Sequence, residues 1–516
     1  MLRTHFGWIL LATAGMLAWR PASMLAEEFS TVREAVESVT MPELRKHVET
    51  LANDTFEGRE SGSRGGQAAG VYLAQFYRQL GLAGGGTTGY FQAFNGQARN
   101  ILGVLEGSDP VLKDQVIVIS AHYDHVGYGT ATNSYGPIGL IHNGADDNAS
   151  GDAGLLELAE AFSKLKQRPK RTIVFAFWDA EEKGLLGSKH WLANPTIPLQ
   201  RVVFNFNVDM IGRLHKNQIE LIGSRTSRGL RRLFADHNEA TDLGIDFTWE
   251  MKKNSDHYSF FERSIPCVMI HTGLHGDYHR PSDDVEKIDF AGLERVTRLI
   301  FGAVHEMANL PGSIQFRPAS RSETPFARTQ LEQPLAPLPS RLGISWDAAA
   351  SKPGLRVTVV DRGSPAEIAG LRAGDRIVSI DGHELKPGDD PREQILASSG
   401  SAKLKVERPD VKDPLELPVQ LQGSRVRVGL AWREDEAEPG SVLLLRVVPG
   451  SPADKAGLAV LDRIYQLNGE RFANGDEFLE RLTKATDKIE VRMERQGRPR
   501  TLTLQLTPVV EKTAAR

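Results

Sequence analysis

Histidines and acidic residues recur together in five short segments of the chain, and this combination is typical of metal sites. The segments carry His122 and Asp124, Asp146 and Asp147, Glu181 and Glu182, Asp209, and His279. Imidazole and carboxylate ligands without thiolate suit zinc, manganese or cobalt. Carboxylates that converge on one place repel each other unless cations neutralise them. The pattern therefore predicts a site for two metal ions.

Two short spacings within this set suggest separate tasks for neighbouring side chains. Asp124 follows His122 by two residues, so its carboxylate can hold the imidazole N–H and fix the tautomer. Glu181 and Glu182 are adjacent, and adjacent side chains on a turn or extended segment point in different directions. One of the two can therefore act as a base on the water between the metals while the other binds a metal.

Short apolar runs typical of buried strands precede most of these residues. The runs are 101–105, 116–120, 172–178, 202–208 and 267–271, and helical spacing predicts helices over 42–52, 66–80 and 155–165. Apolar strands that alternate with helices indicate an α/β fold, in which helices cover both faces of a mostly parallel sheet. The carboxyl ends of such strands would bring the acidic residues and histidines to one edge.

The composition restricts the class of protein. The chain has 516 residues, 40% of them hydrophobic and 25% charged, which is typical of folded globular domains. At about 150 residues per domain, three or four domains are expected. The net charge of −4 gives no electrostatic reason to expect nucleic-acid binding. Cys267 is the single cysteine, which excludes an intrachain disulfide and a cysteine-based metal site.

The first 26 residues have the pattern of a secretory signal. Arg3 precedes an apolar run from about Phe6 to Trp19, and small residues follow it. A membrane helix needs about 20 apolar residues, and Arg20 interrupts the run before that length. We therefore expect residues 1–26 to be a signal peptide and the protein to be periplasmic or secreted, without a stable membrane span after cleavage. An uncleaved N-terminal anchor is the alternative.

The C-terminal part of the chain repeats itself after a proline-rich stretch. Two motifs recur at an offset of 86 or 87 residues: Arg341-Leu-Gly-Ile-Ser-Trp346 as Arg427-Val-Gly-Leu-Ala-Trp432, and Gly363-Ser-Pro-Ala366 as Gly450-Ser-Pro-Ala453. A long period that occurs twice indicates two tandem copies of one small domain. The predicted division is a large domain at 27–312, a linker at 313–340, and repeats at 341–422 and 425–508.

The motifs of the large domain resemble those of the exported co-catalytic zinc aminopeptidases, a family that includes the bacterial leucyl and yeast vacuolar aminopeptidases. The resemblance covers residues 40–310, with the motifs in the family's order. The motifs are His122-Tyr-Asp124, Gly144-Ala-Asp-Asp-Asn-Ala-Ser-Gly151, Ala180-Glu-Glu-Lys-Gly-Leu-Leu-Gly-Ser188, Val208-Asp-Met-Ile-Gly-Arg213, Ser255-Asp-His257 and Tyr278-His-Arg-Pro-Ser-Asp283. The resemblance implies the phosphorylase/hydrolase-like fold of zinc aminopeptidases.

This resemblance also implies a role for each matching residue. His122 and Asp209 would complete one zinc site, Glu182 and His279 would complete the other, and Asp147 would bridge the two. Glu181 would be the general base, Asp124 would support catalysis, and Asp256 would lie behind the ligands without touching a metal. Two Zn²⁺ ions per chain are expected, with Mn²⁺ or Co²⁺ as possible substitutes. The family also leads us to expect a cis peptide bond between Asp147 and Asn148.

The two repeats resemble the PDZ domains of bacterial exported proteases. In such domains, successive backbone N–H groups receive the carboxylate of a peptide that adds a strand to the sheet. The residues expected to form these loops are Leu342, Gly343 and Ile344 in the first repeat and Val428, Gly429 and Leu430 in the second, with Arg341 and Arg427 as basic neighbours. The alternative is that one or both grooves are closed and the repeats only pack on the enzyme.

Together these features predict an exported, metal-dependent aminopeptidase that acts on peptides or proteins with a free N-terminus. Peptide C-termini are the expected ligands of its PDZ domains. Two other reactions remain open on the same fold: glutaminyl cyclisation with one metal, and exopeptidase cleavage from the C-terminus. An alternative of a different class is a PDZ adaptor whose peptidase domain is inactive.

Overall fold

The computed structural model describes residues 31–347, 353–386 and 389–506. The predicted signal peptide lies outside these residues. The helices are α1 (Val32–Ser38), α2 (Met41–Leu51), α3 (Arg64–Gln79), α4 (Gly151–Ser163), α5 (Leu186–Ala193), α6 (Leu230–His237), α7 (His257–Glu262), α8 (Phe290–Asn309), α9 (Pro325–Leu331), α10 (Pro365–Ile368), α11 (Pro391–Ala397), α12 (Pro452–Lys455) and α13 (Gly475–Lys484). Within the described part of the chain, no helix has both the length and the apolar character that a membrane span requires.

The strands fall into three sheets. The first sheet contains β1 (Ala83–Gly84), β2 (Phe91–Phe94), β3 (Ala98–Leu105), β4 (Val116–His122), β5 (Thr172–Trp178), β6 (Val202–Val208), β7 (Gln218–Ile222), β8 (Gly244–Thr248) and β9 (Cys267–His271). The second contains β10 (Ile344–Asp347), β11 (Leu355–Val360), β12 (Arg376–Ile380), β13 (His383–Glu384), β14 (Ser401–Glu407) and β15 (Leu415–Gln420). The third contains β16 (Leu430–Arg433), β17 (Val442–Val447), β18 (Arg463–Leu467), β19 (Glu470–Arg471), β20 (Lys488–Arg495) and β21 (Arg498–Gln505).

The large sheet has a parallel centre and a mixed periphery. Its order is β1-β3-β5-β4-β6-β9-β7-β8, with β2 paired to β3. Strands β5, β4, β6 and β9 run parallel, whereas β3 and β7 join them antiparallel. Alternate residues of β4 enter different cores: Ile117 and Ile119 pack on one face, and Val116 and Val118 pack on the other. The predicted α/β fold, with a mostly parallel sheet covered on both faces, is confirmed.

The proline-rich segment at 313–340, predicted to be a linker, forms local structure and packs against the large domain. It contains a 3₁₀ turn at Pro318–Arg321 and the helix α9. Proline occupies the first turn of each, where its missing N–H is not needed by the helix. The Arg317 N–H donates to the Thr226 carbonyl at 2.7 Å, which attaches the segment to the large domain.

The two small sheets have the same strand order. The first runs β10-β11-β12-β14-β15 and the second β16-β17-β18-β20-β21, and in each a two-residue strand pairs with the third long strand in chain order. Each sheet also carries a one-turn helix and a longer helix at matching places in the order of elements. The internal repeat of the sequence therefore corresponds to a repeated structure.

The second repeat packs directly on the large domain. Arg225 of the large domain bonds to Asp435 of the repeat at 2.8 and 2.9 Å. The turn after β20 continues this contact, because the Ile245 N–H of edge strand β8 donates to the Gln496 carbonyl at 2.9 Å. One backbone group of the edge strand is thus paired with the repeat.

Candidate metal centre

The carboxyl ends of the parallel strands bring the predicted metal-binding residues together. His122 is the last residue of β4, Asp209 directly follows β6, and Glu182 lies in the turn after β5. Asp147 lies in the turn that leads into α4, and His279 lies in the loop after β9. The structure therefore collects five residues from five separate segments at one edge of the sheet, where open α/β folds place their ligands.

One group of donor atoms consists of His122, Asp147 and Asp209. Nε2 of His122 lies 3.3 Å from Oδ1 of Asp147 and 3.5 Å from Oδ1 of Asp209. Nδ1 of the same ring lies 3.1 Å from the Asp124 backbone carbonyl, which can only accept, so Nδ1 carries the proton. The unprotonated Nε2 then faces the two carboxylates, as a metal ligand requires.

A second group consists of Asp147, Glu182 and His279, and it has the same construction. Nε2 of His279 lies 3.1 Å from Oδ2 of Asp147 and 3.1 Å from Oε2 of Glu182. Nδ1 donates to the Asn133 backbone carbonyl at 2.9 Å. Asp147 thus offers Oδ1 to one group and Oδ2 to the other, which is the arrangement of a bridging carboxylate.

These donor atoms fit zinc by type and by their unmet bonding. Nε2 of His279 is buried and has no hydrogen-bond partner among the described residues, although two carboxylate oxygens lie near it. A buried polar atom without a partner is costly unless something else binds it. Imidazole nitrogens and carboxylate oxygens are both zinc ligands. The set of side chains therefore fits two ions of this kind.

His125 also belongs to the second group, and the sequence analysis did not select it. Its Nδ1 lies 2.8 Å from Oε1 of Glu182 and 3.7 Å from Oδ2 of Asp147. Burial and the Asp147 charge raise the pKa of Glu182, but the hydrogen bond from His125 and the nearby His279 imidazole outweigh both and hold it below its ordinary value. The sequence feature that could have identified His125 is its position, three residues after His122 in the same segment.

Glu181 lies next to the metal-binding groups without belonging to either of them. Its backbone N–H donates to Oδ1 of Asp124 at 2.9 Å, which fixes the turn that carries it. Burial raises the pKa of the Glu181 carboxyl well above its ordinary value, and the neighbouring charge of Glu182 adds to this. A raised pKa suits a group that must hold a proton during a reaction and then release it.

The carboxylate of Asp124 has a different partner from the one the sequence suggested. Its Oδ1 lies 3.9 Å from Nδ1 of His122, too far for a hydrogen bond, and accepts from the Glu181 N–H instead. The imidazole is held by the backbone carbonyl of Asp124. Asp124 therefore fixes the His122 tautomer through its main chain and supports Glu181 through its side chain.

Buried hydrogen bonds hold the turn that carries Asp147. Oδ2 of Asp283 accepts from the N–H groups of Asp146 and Asp147, each at 3.0 Å. The peptide bond between Asp147 and Asn148 is cis, as the sequence resemblance led us to expect. These contacts fix the turn that carries the Asp147 carboxylate.

Asp256 is buried at the start of α7, outside both donor groups. Burial raises the pKa of its carboxyl to about 6. Neither of its carboxylate oxygens has a hydrogen-bond partner within the part of the chain that the structure describes. Its role behind the ligands stays a prediction.

Arg341 and Arg427, predicted to assist carboxylate binding in the repeats, donate hydrogen bonds to the ends of helices. Arg341 donates to the carbonyls of Leu396 and Ser398 at 3.1 and 2.8 Å, at the end of α11. Arg427 donates to the Thr483 carbonyl at 2.7 Å, at the end of α13. The last carbonyls of a helix lack partners within the helix, so a nearby cation satisfies them. A part in carboxylate binding stays a prediction for both residues.

Two family models match parts of the chain. Residues 100–304 match the family model of peptidase family M28, and residues 356–408 match that of the PDZ domain. Leupeptin-inactivating enzyme 1 of Streptomyces exfoliatus is 25% identical over 281 residues, which are 54% of this chain and 59% of that protein. Aminopeptidase YwaD of Bacillus subtilis is 29% identical over 229 residues, which are 42% of this chain and 46% of that protein.

The chain spans about half the length of these two curated relatives. Among solved structures, the LapA aminopeptidase of Legionella pneumophila matches with a TM-score of 0.47 and 20% identity, over 54% of this chain and 75% of that one. The family matches, together with the strand order and the residues gathered at the sheet edge, lead to one conclusion. The chain contains a domain of peptidase family M28, followed by a PDZ domain.

Proposed function

We propose that the chain is a two-zinc aminopeptidase that removes residues from the N-termini of peptides. One observation carries this proposal: Asp147 offers one oxygen to the donor group of His122 and Asp209, and the other to the group of Glu182 and His279. A shared carboxylate between two donor sets is the arrangement of a two-metal hydrolase. It favours hydrolysis over glutaminyl cyclisation, for which we expect one metal.

The side chains around the site have distinct tasks in this reaction. When bound, two zinc ions would polarise the scissile carbonyl and acidify the attacking water. Glu181 takes a proton from that water and delivers it to the leaving amine. Asp124 keeps Glu181 in place through the 2.9 Å bond to its backbone N–H. Asp283 and the buried turn keep Asp147 between the two groups.

Replacement of the base separates catalysis from metal binding. We expect Glu181→Gln to bind the same amount of zinc as the wild type and to lose activity by about 10²- to 10⁴-fold. Glu49→Gln, on the exposed side of α2, is the matched control and should leave both properties unchanged. Zinc content by elemental analysis and hydrolysis of a peptide amide would be measured together. Full activity of Glu181→Gln would contradict the assignment of the base.

We also propose that the first repeat binds the C-termini of peptides and that the second is closed to them. Strand β10 pairs only with β11 among the described strands, so its other edge is available for an added strand. A cavity of about 630 Å³ lies beside it, lined by Leu342, Ile344 and Ile395. The Gly343 N–H donates to the Ser340 hydroxyl at 2.9 Å, so a ligand carboxylate must take over this bond.

In the second repeat, side chains connect the corresponding strand and helix. Trp432 of β16 packs edge-on against Phe478 of α13, with ring centres 4.9 Å apart. The Gly475 N–H, in the first turn of that helix, donates to Oε1 of Glu434 at 2.8 Å. These contacts occupy the place where a peptide would lie.

Peptides that differ only at their C-terminus test the binding role of the repeats. We expect a peptide that ends in an apolar residue with a free carboxylate to bind the protein with a stoichiometry of one. Its amidated form should bind at least tenfold more weakly, because the loop N–H groups then lose their charged acceptor. Equal binding of the two forms, or two sites per chain, would contradict the proposal.

Export is a further part of the proposed function, and it rests on the sequence of residues 1–26. The apolar run bounded by Arg3 and Arg20 has the length of the apolar core of a signal peptide. We expect the mature protein to be recovered outside the cytoplasm with a new N-terminus near residue 27. N-terminal sequencing of the recovered protein measures this, and an intact Met1 would contradict cleavage.

A further inference from the structure

His125 touches the second donor group in a way that differs from the other residues of that group. Nε2 of His279 lies 3.1 Å from a carboxylate oxygen of Asp147 and 3.1 Å from one of Glu182. In the first group, Nε2 of His122 lies 3.3 and 3.5 Å from its two carboxylate oxygens. Ligand atoms on one tetrahedral zinc, with bonds of about 2.0–2.1 Å, lie about 3.3 Å apart. The 2.8 Å between Nδ1 of His125 and Oε1 of Glu182 is shorter and is typical of a charge-assisted hydrogen bond.

The two oxygens of Glu182 therefore have different partners. Oε2 faces Nε2 of His279, within the donor group, whereas Oε1 faces Nδ1 of His125. Because a carboxylate accepts, the Nδ1–H of His125 is the donor. His125 lies 3.7 Å from Oδ2 of Asp147, beyond hydrogen-bond distance.

The surrounding backbone and rings fix the orientation of the His125 imidazole. The ring lies against Gly144, where an added Cβ would come within 2.6 Å of Cδ2 of His125. Its other neighbour is the His279 ring, which meets it edge-on with centres 5.4 Å apart. His125 is buried, and its backbone N–H donates to the Arg59 carbonyl. The imidazole is therefore held with Nδ1 towards Glu182.

The ring nitrogen on the far side gives a second reason to separate His125 from the metal ligands. Each of His122 and His279 donates its Nδ1–H to a backbone carbonyl, the usual support of a metal-bound imidazole. Nε2 of His125 has no hydrogen-bond partner within the described ranges of the chain. His125 thus lacks the hydrogen bond from the second ring nitrogen to a backbone carbonyl that both predicted ligand histidines make.

We infer that His125 is a positioning residue whose Nδ1–H holds Oε1 of Glu182, so that only Oε2 is presented to the second metal. This inference rests on the proposed two-zinc function. It predicts that the residue at this position needs a hydrogen-bond donor where Nδ1 lies and has no need of a metal-binding nitrogen.

Three substitutions at this position test the inference by metal binding. Asparagine places its amide nitrogen near the position of Nδ1, whereas glutamine extends one atom further and alanine has no donor. We expect His125→Asn to keep the second zinc within about threefold of the wild-type affinity. We expect His125→Gln and His125→Ala to weaken that zinc by about 10- to 100-fold and to leave the first zinc unchanged. His47→Asn, which removes a buried imidazole far along the chain in α2, is the control.

Competition with a chromophoric chelator would give both zinc affinities for each variant. Visible absorption of the cobalt-loaded proteins would report the ligands directly, and His125→Asn should keep the wild-type spectrum. Unchanged zinc affinity in His125→Ala would overturn the inference. An asparagine variant that loses the second metal or changes the cobalt spectrum would also overturn it, in favour of a direct ligand. A wild-type protein that binds a single zinc would instead contradict the proposed function on which the inference rests.

Discussion

Arg59 connects three segments around the metal centre through one fully buried guanidinium. It donates to the carbonyls of Leu51, Tyr123, Asn143 and Gly144 at 2.8, 3.0, 2.6 and 3.0 Å. Tyr123 lies between His122 and Asp124, and Gly144 precedes the turn that carries Asp147. The rigid fork of arginine can serve several carbonyls at once, which a lysine ammonium cannot.

Arg59→Lys is therefore expected to destabilise the fold by about 2–4 kcal/mol, because buried carbonyls lose their donors. It should also weaken zinc binding, since both connected turns carry predicted ligands. Arg64→Lys, whose side chain is largely exposed, is the matched control. Denaturant unfolding and chelator competition measure the two effects. An Arg59→Lys protein as stable as the wild type would show that the four bonds are replaceable.

Residue types and strand ends predict a site for two metals, and the resemblance of the motifs to a known family implies its ligands, but neither predicts the contacts that support them. His122, Asp147, Glu182, Asp209 and His279 all lie in the two donor groups. The contact of His125 with Glu182 and those of Arg59 with backbone carbonyls were not predicted, because they depend on how separate turns pack against each other. The orientation of Asp124 escaped for the same reason: its carboxylate had two possible partners, and the fold selected the Glu181 N–H.

At the scale of elements, helices α2 and α4 bury two ionisable side chains, His47 and Glu157, between them. Nε2 of His47 lies 3.3 Å from Oε1 of Glu157, and both side chains are buried. Burial, with smaller contributions from Glu43 and Glu160, raises the pKa of Glu157 to about 9. The unfolded chain has a glutamate pKa of about 4.3, so between these values folding takes up a proton. The contribution of Glu157 to stability therefore falls as the pH rises through this range.

Glu157→Gln removes this titration and keeps a similar shape. We expect the variant and the wild type to be equally stable near pH 4, and the variant to be more stable at pH 8, by roughly 2–4 kcal/mol. Urea unfolding at both pH values measures the difference. Glu49→Gln, on the exposed side of α2, should show no such pH-dependent gain. A stability difference that is the same at both pH values would contradict the buried, protonated state of Glu157.

The elements themselves were the most predictable level of the structure. Strands β5, β6 and β9 agree with their predicted bounds because continuous apolar runs of this length fit a sheet buried on both faces. The helices in the segment 313–340 were not predicted, because each is too short to show helical periodicity. Their positions depend on contacts with the large domain, such as the bond from Arg317 to Thr226.

At the scale of the whole molecule, buried ion pairs attach the second repeat to the peptidase domain. Asp435 bonds to Arg225 and lies 3.0 Å from Arg463, and its side chain is almost fully buried. A second pair joins Arg231 to Glu494 at 2.8 Å. Loss of one partner in such a network leaves a buried charge unpaired, which usually costs more than the pair contributed.

We expect Asp435→Asn to destabilise this interface by about 3–5 kcal/mol and to expose the adjoining chain to proteases. Burial raises the pKa of Asp435, but Arg225 and Arg463 hold it well below its ordinary value. Its contribution is therefore complete above about pH 4 and is lost as the pH falls further. Limited proteolysis between pH 3 and 7 measures this. Protection of Asp435→Asn equal to that of the wild type throughout would contradict the role of the pair.

A surface pair provides the control for this experiment. Lys403 and Glu416 of the first repeat bond to each other while both side chains remain mostly exposed. Exposed pairs contribute little to stability because water and salt screen them. Glu416→Gln should therefore digest like the wild type at every pH.

Product analysis of a defined peptide mixture tests the central claim most directly. The zinc-loaded protein would be incubated with peptides that have free or blocked ends, and the masses of the products would be followed in time. A two-zinc aminopeptidase predicts stepwise loss of residues from free N-termini only, abolished by a chelator and restored by zinc. Loss of residues from the C-terminus, or a 17-dalton loss that marks cyclisation of N-terminal glutamine, would contradict the proposed function.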